Sequence, residues 1–461
     1  MKAFSLLIIS LSFSVTFSKA QTAKKYQDID TLINTYSMID AMTALKKLKE
    51  NYAKDTVDSE YWLRYSKANY TFYKYEDAKA GINRALKLNP NNANYHYEKG
   101  LLYNRIGQTD SALAPLEKAI SIEPKGEYYF WKGIVNQQLK NNQAAEVDYT
   151  KAIENKFENA ELYNNFCIIL AENEKYEKAL EIVNKSIALN RKFPQAYSAR
   201  CKINFFLYRF DAACADRDTA NSMGYKKTFT LPDSVCKGTE TQKIQYLSDI
   251  FAFSGLHKSA IEAYSKLINN NVLKADYFLN RGYCYYKLKD YANAEKDYIV
   301  AEKSYLAAKT LDKQAIDLLY DNLSLLYFDQ NNFKKAIEYS TKRIELNPGN
   351  HVPYIDRGLS YRKMKKYKEA EIDFNKSLQI KPDFFRAFGY RSYLFLELQQ
   401  YQKAYDDASK SVKLNPKYGY GYMMLGQAKQ ALGMKDFCID FYTALKFDGP
   451  DAEEAIKQHC K

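Results

Sequence analysis

Residues 348–382 read PGNHVPYIDRGLSYRKMKKYKEAEIDFNKSLQIKP, and the two prolines that bound this stretch are followed by Pro416 and Pro450 at the same spacing of 34. Inside it stand an aromatic residue, Tyr354, a small one, Gly358, and then Ala370, and the same succession of types recurs along the chain. A period of this length describes a two-helix unit that cannot bury its apolar face alone and must stack on copies of itself. The expected mode of action is recognition over an extended surface.

Extended in both directions, the frame gives eleven repeats with first residues Ser59, Ala93, Gly126, Ala160, Pro194, Thr241, Ala275, Asp317, His351, Phe385 and Gly419. Their twentieth places hold Ala78, Ala112, Ala145, Ala179, Ala213, Ala260, Ala294, Ala336, Ala370, Ala404 and Cys438, where two helix backbones should approach too closely for a larger side chain. The eighth places are all small: Ser66, Gly100, Gly133, Cys167, Cys201, Ser248, Gly282, Ser324, Gly358, Ser392 and Gly426. These two columns are expected to pack helix A on helix B. The fourth place carries a large wedge in most repeats, from Trp62 through Tyr163 and Phe278 to Tyr422, filling the space between neighbouring units.

This combination resembles the tetratricopeptide repeat family over about residues 59–450, and the junctions LNPNNANY, LNPGNHVPY and LNPKYGYGY look like that family's turn from helix B to the next helix A. The resemblance implies an all-α, right-handed α-solenoid of about eleven helix pairs with capping helices. The expected organisation is a signal segment at 1–20, a degenerate opening repeat at 21–58, repeats 1 to 5 at 59–220, a non-helical insert at 221–240, repeats 6 to 11 at 241–450 and a closing helix at 451–461. In the opening segment Leu32, Ile33, Met38, Met42, Leu45 and Leu48 keep apolar spacing, and Ala44 falls at the twentieth place. The insert is rich in Gly, Pro and Thr, which argues against helix. The seventh repeat is eight residues longer than the period, and AEKDYIVAEKSYLAAK predicts that its helix B gains about two turns.

Composition suits a solenoid and adds a compartment. Hydrophobic residues make up 46% of the chain, and 42 tyrosines fit ring-filled repeat interfaces. Lys2, an apolar run from Phe4 to Phe17 and Ser18-Lys19-Ala20 before Gln21 have the anatomy of a bacterial-style secretory signal cut after Ala20. The run is too short for the roughly 20 residues a membrane-spanning helix needs, and no cysteine follows it to accept a lipid. The mature chain is therefore expected in the periplasm or secreted, without a transmembrane segment. Formal charge is +13, or +11 once Lys2 and Lys19 are removed. Its one cluster, Arg362, Lys363, Lys365, Lys366 and Lys368, falls at the turn between the helices of repeat 9 and is expected to be a solvated turn. Export disfavours nucleic acid as a partner.

Seven cysteines remain: Cys167, Cys201, Cys214, Cys236, Cys284, Cys438 and Cys460. An oxidising compartment permits disulfides, and an odd total leaves at least one thiol over. Cys214 or Cys236 is a candidate to bridge to Cys201, and Cys438 to Cys460. No CxxC occurs, so a metal site is not expected. HExxH, phosphate-binding glycine loops and GxSxG are also absent, there are only four histidines, and no pair of carboxylates is singled out. The expectation is a protein that is not an enzyme and needs no cofactor.

The remaining candidate site is the concave face, which the family resemblance assigns mainly to helix A. Its second, fifth, sixth, ninth, twelfth and thirteenth places bring forward Trp131, Asn165, Tyr246, Asn280, Tyr283, Tyr286, Asn322, Tyr390 and Tyr393. An Asn at the sixth place can pair with both an N–H and a C=O of an extended peptide, and rings add contact area at low entropic cost. The family's two-carboxylate clamp is not matched by any three successive repeats: Asn164 and Asn165 share one repeat, but the next offers Ser198 and Ala199. The expected partners are proteins or peptides held in the groove. Two alternatives are a structural subunit of an envelope or secretion assembly and a glycan-associated protein using the ring-rich groove.

Overall fold

The computed structural model describes residues 25–225, 229, 231–270, 274–308, 310 and 312–460. The expected signal segment 1–20 and its cleavage point lie outside them. Among the described residues every regular element is helical, so the fold is an all-α solenoid of paired helices. The helices group into two compact units that divide between Lys237 and Gly238.

The first unit opens with the pair Gln27–Ile33 and Met38–Asn51. Repeats 1 to 5 follow as Ser59–Thr71 with Tyr75–Leu88, Ala93–Arg105 with Thr109–Ile122, Gly126–Gln138 with Asn142–Glu154, Ala160–Glu172 with Tyr176–Leu189, and Pro194–Phe206 with Phe210–Ser222. The second unit contains repeats 6 to 11: Glu240–Phe253 with His257–Asn269, Ala275–Lys287 with Tyr291–Leu306, Lys313–Asp329 with Phe333–Leu346, Val352–Lys363 with Tyr367–Ile380, Phe385–Glu397 with Tyr401–Leu414, and Gly419–Ala431 with Phe437–Lys446. It closes with Ala452–His459.

The alanine column does what its spacing demands. All ten alanines of the twentieth place, from Ala78 to Ala404, have no accessible surface. At the eighth place residue size follows what faces it. A Cβ on Gly133, Gly282 or Gly358 would lie 2.7 Å from the ring of Tyr149, Tyr298 or Phe374 respectively. Ser66 and Ser392 stand where no ring fills that place, and their hydroxyls donate to the carbonyls of Ala78 and Ala404, both at 2.7 Å. One side of the helix crossing is thus filled by a ring and the other by a hydrogen bond.

Repeat 11 breaks the frame by one residue. A Cβ on Gly426 would meet the Phe441 ring at 2.6 Å and the Phe437 carbonyl at 3.3 Å. Phe437 therefore stands where the alanine stands elsewhere, and Cys438, expected in that column, turns outward. Helix B of this repeat starts at Phe437, two residues later than the seventeenth place that opens helix B in the other ten repeats.

In every repeat the turn from helix A to helix B passes through one residue in the left-handed region, at the fifteenth place: Tyr73, Gly107, Lys140, Glu174, Tyr208, Gly255, Lys289, Asn331, Lys365, Gln399 and Gly433, with φ between 57° and 79°. The amides that follow return to carbonyls of the last turn of helix A, as when Lys175 N–H donates to Leu170 at 2.8 Å.

Three further expectations are corrected. Helix B of repeat 7 ends at Leu306 and gains only a fraction of a turn; helix A of repeat 8 instead begins early, at Lys313, where the Asp312 side chain accepts from the amides of Gln314 and Ala315. The segment 221–240 holds a helical turn, Asp233–Cys236, because Pro232 sets its entry and Leu231 and Val235 are buried against repeat 5. In the opening pair Met38 and Met42 are about half exposed, and the core is made by Tyr26, Ile29, Ile33, Ala41, Ala44 and Leu48.

Cys214 is bonded to Cys236 and Cys438 to Cys460. The bridge from Cys201 to either Cys214 or Cys236 does not form, because Cys201 sits in the packed helix crossing with no accessible surface.

Candidate functional site

Within each unit successive A helices touch, for example those of repeats 2 and 3, 4 and 5, and 10 and 11. Their outward side chains therefore form a shared face. In the first unit this face holds a pocket of about 360 Å³ whose walls are A-helix residues of repeats 1 to 3 and the turn of the opening pair. Its floor is Leu63, Leu101 and Leu102, and its rim carries Asn34, Lys67, Asn94, Glu98 and Arg105 with the rings of Tyr70, Tyr97 and Trp131.

The polar groups of this pocket are unequally satisfied. Lys67 Nζ meets Glu98 Oε1 at 2.5 Å, and the Tyr97 hydroxyl donates to Glu127 at 2.9 Å. Burial, followed by Glu127, pushes the Tyr97 phenol well above its usual range. Arg105 is exposed, and its guanidinium lies 5.6 Å from the Tyr70 ring and 5.9 Å from the Trp131 ring. Such a placement holds the charge by attraction to the ring faces and leaves its N–H edge available.

Of the residues picked from sequence, Trp131 is half-buried in this pocket. Asn165, also half-buried, accepts weakly from Asn164 at 3.5 Å. The remainder belong to the second unit. Tyr246 is half-buried on helix A of repeat 6. Tyr283 lies edge-on to His257 at 6.2 Å with Lys287 at 5.3 Å. Tyr286 donates to Asp329 at 2.7 Å and packs on Tyr291. Asn280 is half-buried on helix A of repeat 7. Asn322 is only 8% exposed, so it offers no open amide. Tyr390 packs on Tyr420 at 5.4 Å, and Tyr393 lies under Arg362 at 4.2 Å. Sequence reasoning therefore identified one wall of the first unit's pocket and missed Lys67, Tyr70, Tyr97 and Arg105, although all four fall at the places it inspected.

The basic cluster is also corrected. Lys363, Lys365, Lys366 and Lys368 are exposed, but Arg362 is 8% exposed, and its Nη1 donates to Glu397 at 2.9 Å. Stacking on Tyr393 draws it off the turn and onto the A-helix face.

Two charge patterns hold the repeats together. Arg200, Arg281, Arg357 and Arg391, at the seventh place, each grip Asp216, Asp297, Asp373 and Asp407 of the same repeat through two hydrogen bonds of 2.7–2.9 Å. The free Nη1 of each reaches back to the preceding repeat, to Asn184, Ser265, Thr341 and Asn375. Separately, the buried Arg343 is shared by Asp317 at 3.2 Å, Asp321, and Asp356 of the next repeat at 2.9 Å. Burial, with the two neighbouring carboxylates, pushes Asp356 up to about 7 despite the arginine.

The three free cysteines Cys167, Cys201 and Cys284 are all buried, and burial raises their thiols above the usual range. The four bonded ones are partly accessible.

Tetratricopeptide repeat families match residues 82–114, 126–159, 247–310, 319–350 and 353–384. The chain thus carries tetratricopeptide repeats in both units. The type IV pilus assembly protein PilF of Pseudomonas aeruginosa is 31% identical over 87 residues, 19% of this chain and 34% of that protein. The chain spans about a third of the length of that curated relative. Among solved structures, the MamA protein is similar at 21% identity, covering 39% of this chain and all of MamA, with a TM-score of 0.34. Yeast Tom70 is similar at 14% identity over 89% of this chain and 96% of its own, with a TM-score of 0.38.

Proposed function

We propose that the protein is a non-catalytic scaffold that holds extended segments of partner proteins on the A-helix faces of its units, outside the cytosol. The pocket of repeats 1 to 3 carries this reading. It combines an apolar floor, ring faces and hydrogen-bonding groups contributed by successive A helices. Packed helices lie about 8–10 Å apart and an extended chain advances about 3.3 Å per residue, so each repeat would meet about three residues of a bound segment. Tetratricopeptide repeat proteins bind protein partners, which agrees with this use of the face.

The cysteines support the compartment: the partly accessible ones are bonded and the free ones are buried. Among the described residues no helix is long and apolar enough to cross a membrane. Crosslinking in the cells that make the protein, followed by partner identification, tests the scaffold reading, and terminal mass spectrometry of the native protein tests cleavage after Ala20.

The likeness to a pilus assembly protein over 87 residues favours a second reading, a structural subunit of an envelope assembly. One stoichiometric partner in a pull-down would support it; many unrelated segments would support the first reading.

A further inference from the structure

We infer that the pocket of repeats 1 to 3 selects partner segments that carry a carboxylate, received by Arg105, beside an apolar side chain that enters the floor of Leu63 and Leu101. This rests on the reading of the A-helix face as the binding surface.

The argument is a contrast between two arginines in similar settings. Arg362, at the twelfth place of repeat 9, lies on the Tyr393 ring of repeat 10 and is answered by Glu397, at the thirteenth place of repeat 10. Arg105, at the thirteenth place of repeat 2, lies against the Trp131 ring of repeat 3. The thirteenth place of repeat 3 is Gln138, which has no charge. The carboxylates nearest in the pocket are already engaged, Glu98 by Lys67 and Glu127 by the Tyr97 hydroxyl. Among the described residues no carboxylate pairs with Arg105. The guanidinium is held by two rings, exposed, and unanswered, where its counterpart in the second unit has an internal partner. A planar fork with a free N–H edge fits a carboxylate through two parallel hydrogen bonds. Position on the rings fixes the fork before the ligand arrives, which lowers the ordering cost of binding. The leucine floor beside it accepts an apolar side chain, so the two requirements together define a short signature.

The test selects random twelve-residue peptides displayed on phage against the full mature chain. It then measures affinities of one enriched peptide, made with a photoreactive residue, by Trp131 fluorescence. The expected result is enrichment of Asp or Glu next to Leu, Ile, Val or Phe, with crosslinks to helix A of repeats 1 to 3. Exchange of the peptide Asp for Asn, or Arg105→Gln in the protein, should each weaken binding about tenfold, and both together by no more than either alone. Arg105→Lys should recover part of the loss. Among the described residues the Arg105 side chain makes ring contacts but no hydrogen bond or ion pair, so melting should change little in these variants. If crosslinks fall on repeats 1 to 3 but both exchanges leave affinity unaltered, the carboxylate inference is overturned and the binding face stands. If no peptide is enriched, or crosslinks fall elsewhere, the binding face falls and the inference with it.

Discussion

Cys214 and Cys438 stand at the same structural place in the last helix B of their respective units, one residue beyond Ala213 and Phe437, and each is bonded to a cysteine 22 positions further on. Each unit therefore ends in a cap that is covalently tied to its final repeat. Closing a loop of this length stabilises by about 3 kcal/mol in the chain-entropy account. Cys236→Ser and Cys460→Ser should each lower a separate calorimetric transition, and a thiol reductant should lower both in the parent protein. A single transition moved equally by either variant would show that the units do not melt separately.

Overpacking of the helix crossing provides a second check. Ala370→Leu and Gly358→Ala both push into space held by Phe374 and its neighbours, and each should cost about 1–3 kcal/mol in urea titration. Combining Gly358→Ala with Phe374→Leu should recover part of the loss, since the Cβ would otherwise sit 2.7 Å from that ring. Full additivity of the two changes would mean that they do not share one contact.

Asp356 sets a pH dependence whose sign follows from its environment. Its pKa in the folded chain, about 7, is above its ordinary value, so the folded state binds the extra proton. The associated stability is fully present below the unfolded pKa near 4 and is lost as pH rises through about 7, with a slope of up to about 1.4 kcal/mol per pH unit. Asp356→Asn should therefore melt higher than the parent at pH 8 and flatten the decline between pH 5 and pH 8. Parallel melting profiles for the two proteins would remove Asp356 as the cause.

The left-handed turns predict a reciprocal pair of variants. A Cβ on Gly255 would meet nothing within 4 Å, so Gly255→Ala reports conformational cost alone. It should lose about 1 kcal/mol, while Gln399→Gly should gain up to about 1 kcal/mol. Thermal melts of both in one buffer decide the matter, and a stabilising Gly255→Ala would contradict the turn geometry.

The alanine and small-residue columns made the helix pairing legible, because a close backbone crossing tolerates almost no variation in size. The turns were not legible: Tyr73, Lys140 and Glu174 adopt the left-handed conformation with ordinary side chains, and only Gly107, Gly255 and Gly433 advertise it. The shift in repeat 11 was hidden because Cys438 is small enough to pass for a member of the column. At the binding face, residue type identified the right places but not their occupancy. Tyr286 and Asn322 look like free ligands in sequence, but in the fold Tyr286 is already hydrogen-bonded to Asp329 and Asn322 is buried. Arg105 is informative only beside Arg362, and that comparison needs to show which carboxylates are taken.

The backward reach of the seventh-place arginines gives four of the joints between repeats one interchangeable contact. Arg357 takes an oxygen from Thr341 and Arg391 takes one from Asn375. Excising residues 351–384, one full period, would bring Arg391 to Thr341, which offers the same acceptor, and would leave its grip on Asp407 untouched. Asn, Ser and Thr all serve at that position, so this contact survives loss or copying of a period, although the pairing of Arg343 with Asp356 across the same seam would not. At the four seams that carry this arginine, the number of repeats can drift while the contact keeps the same chemistry.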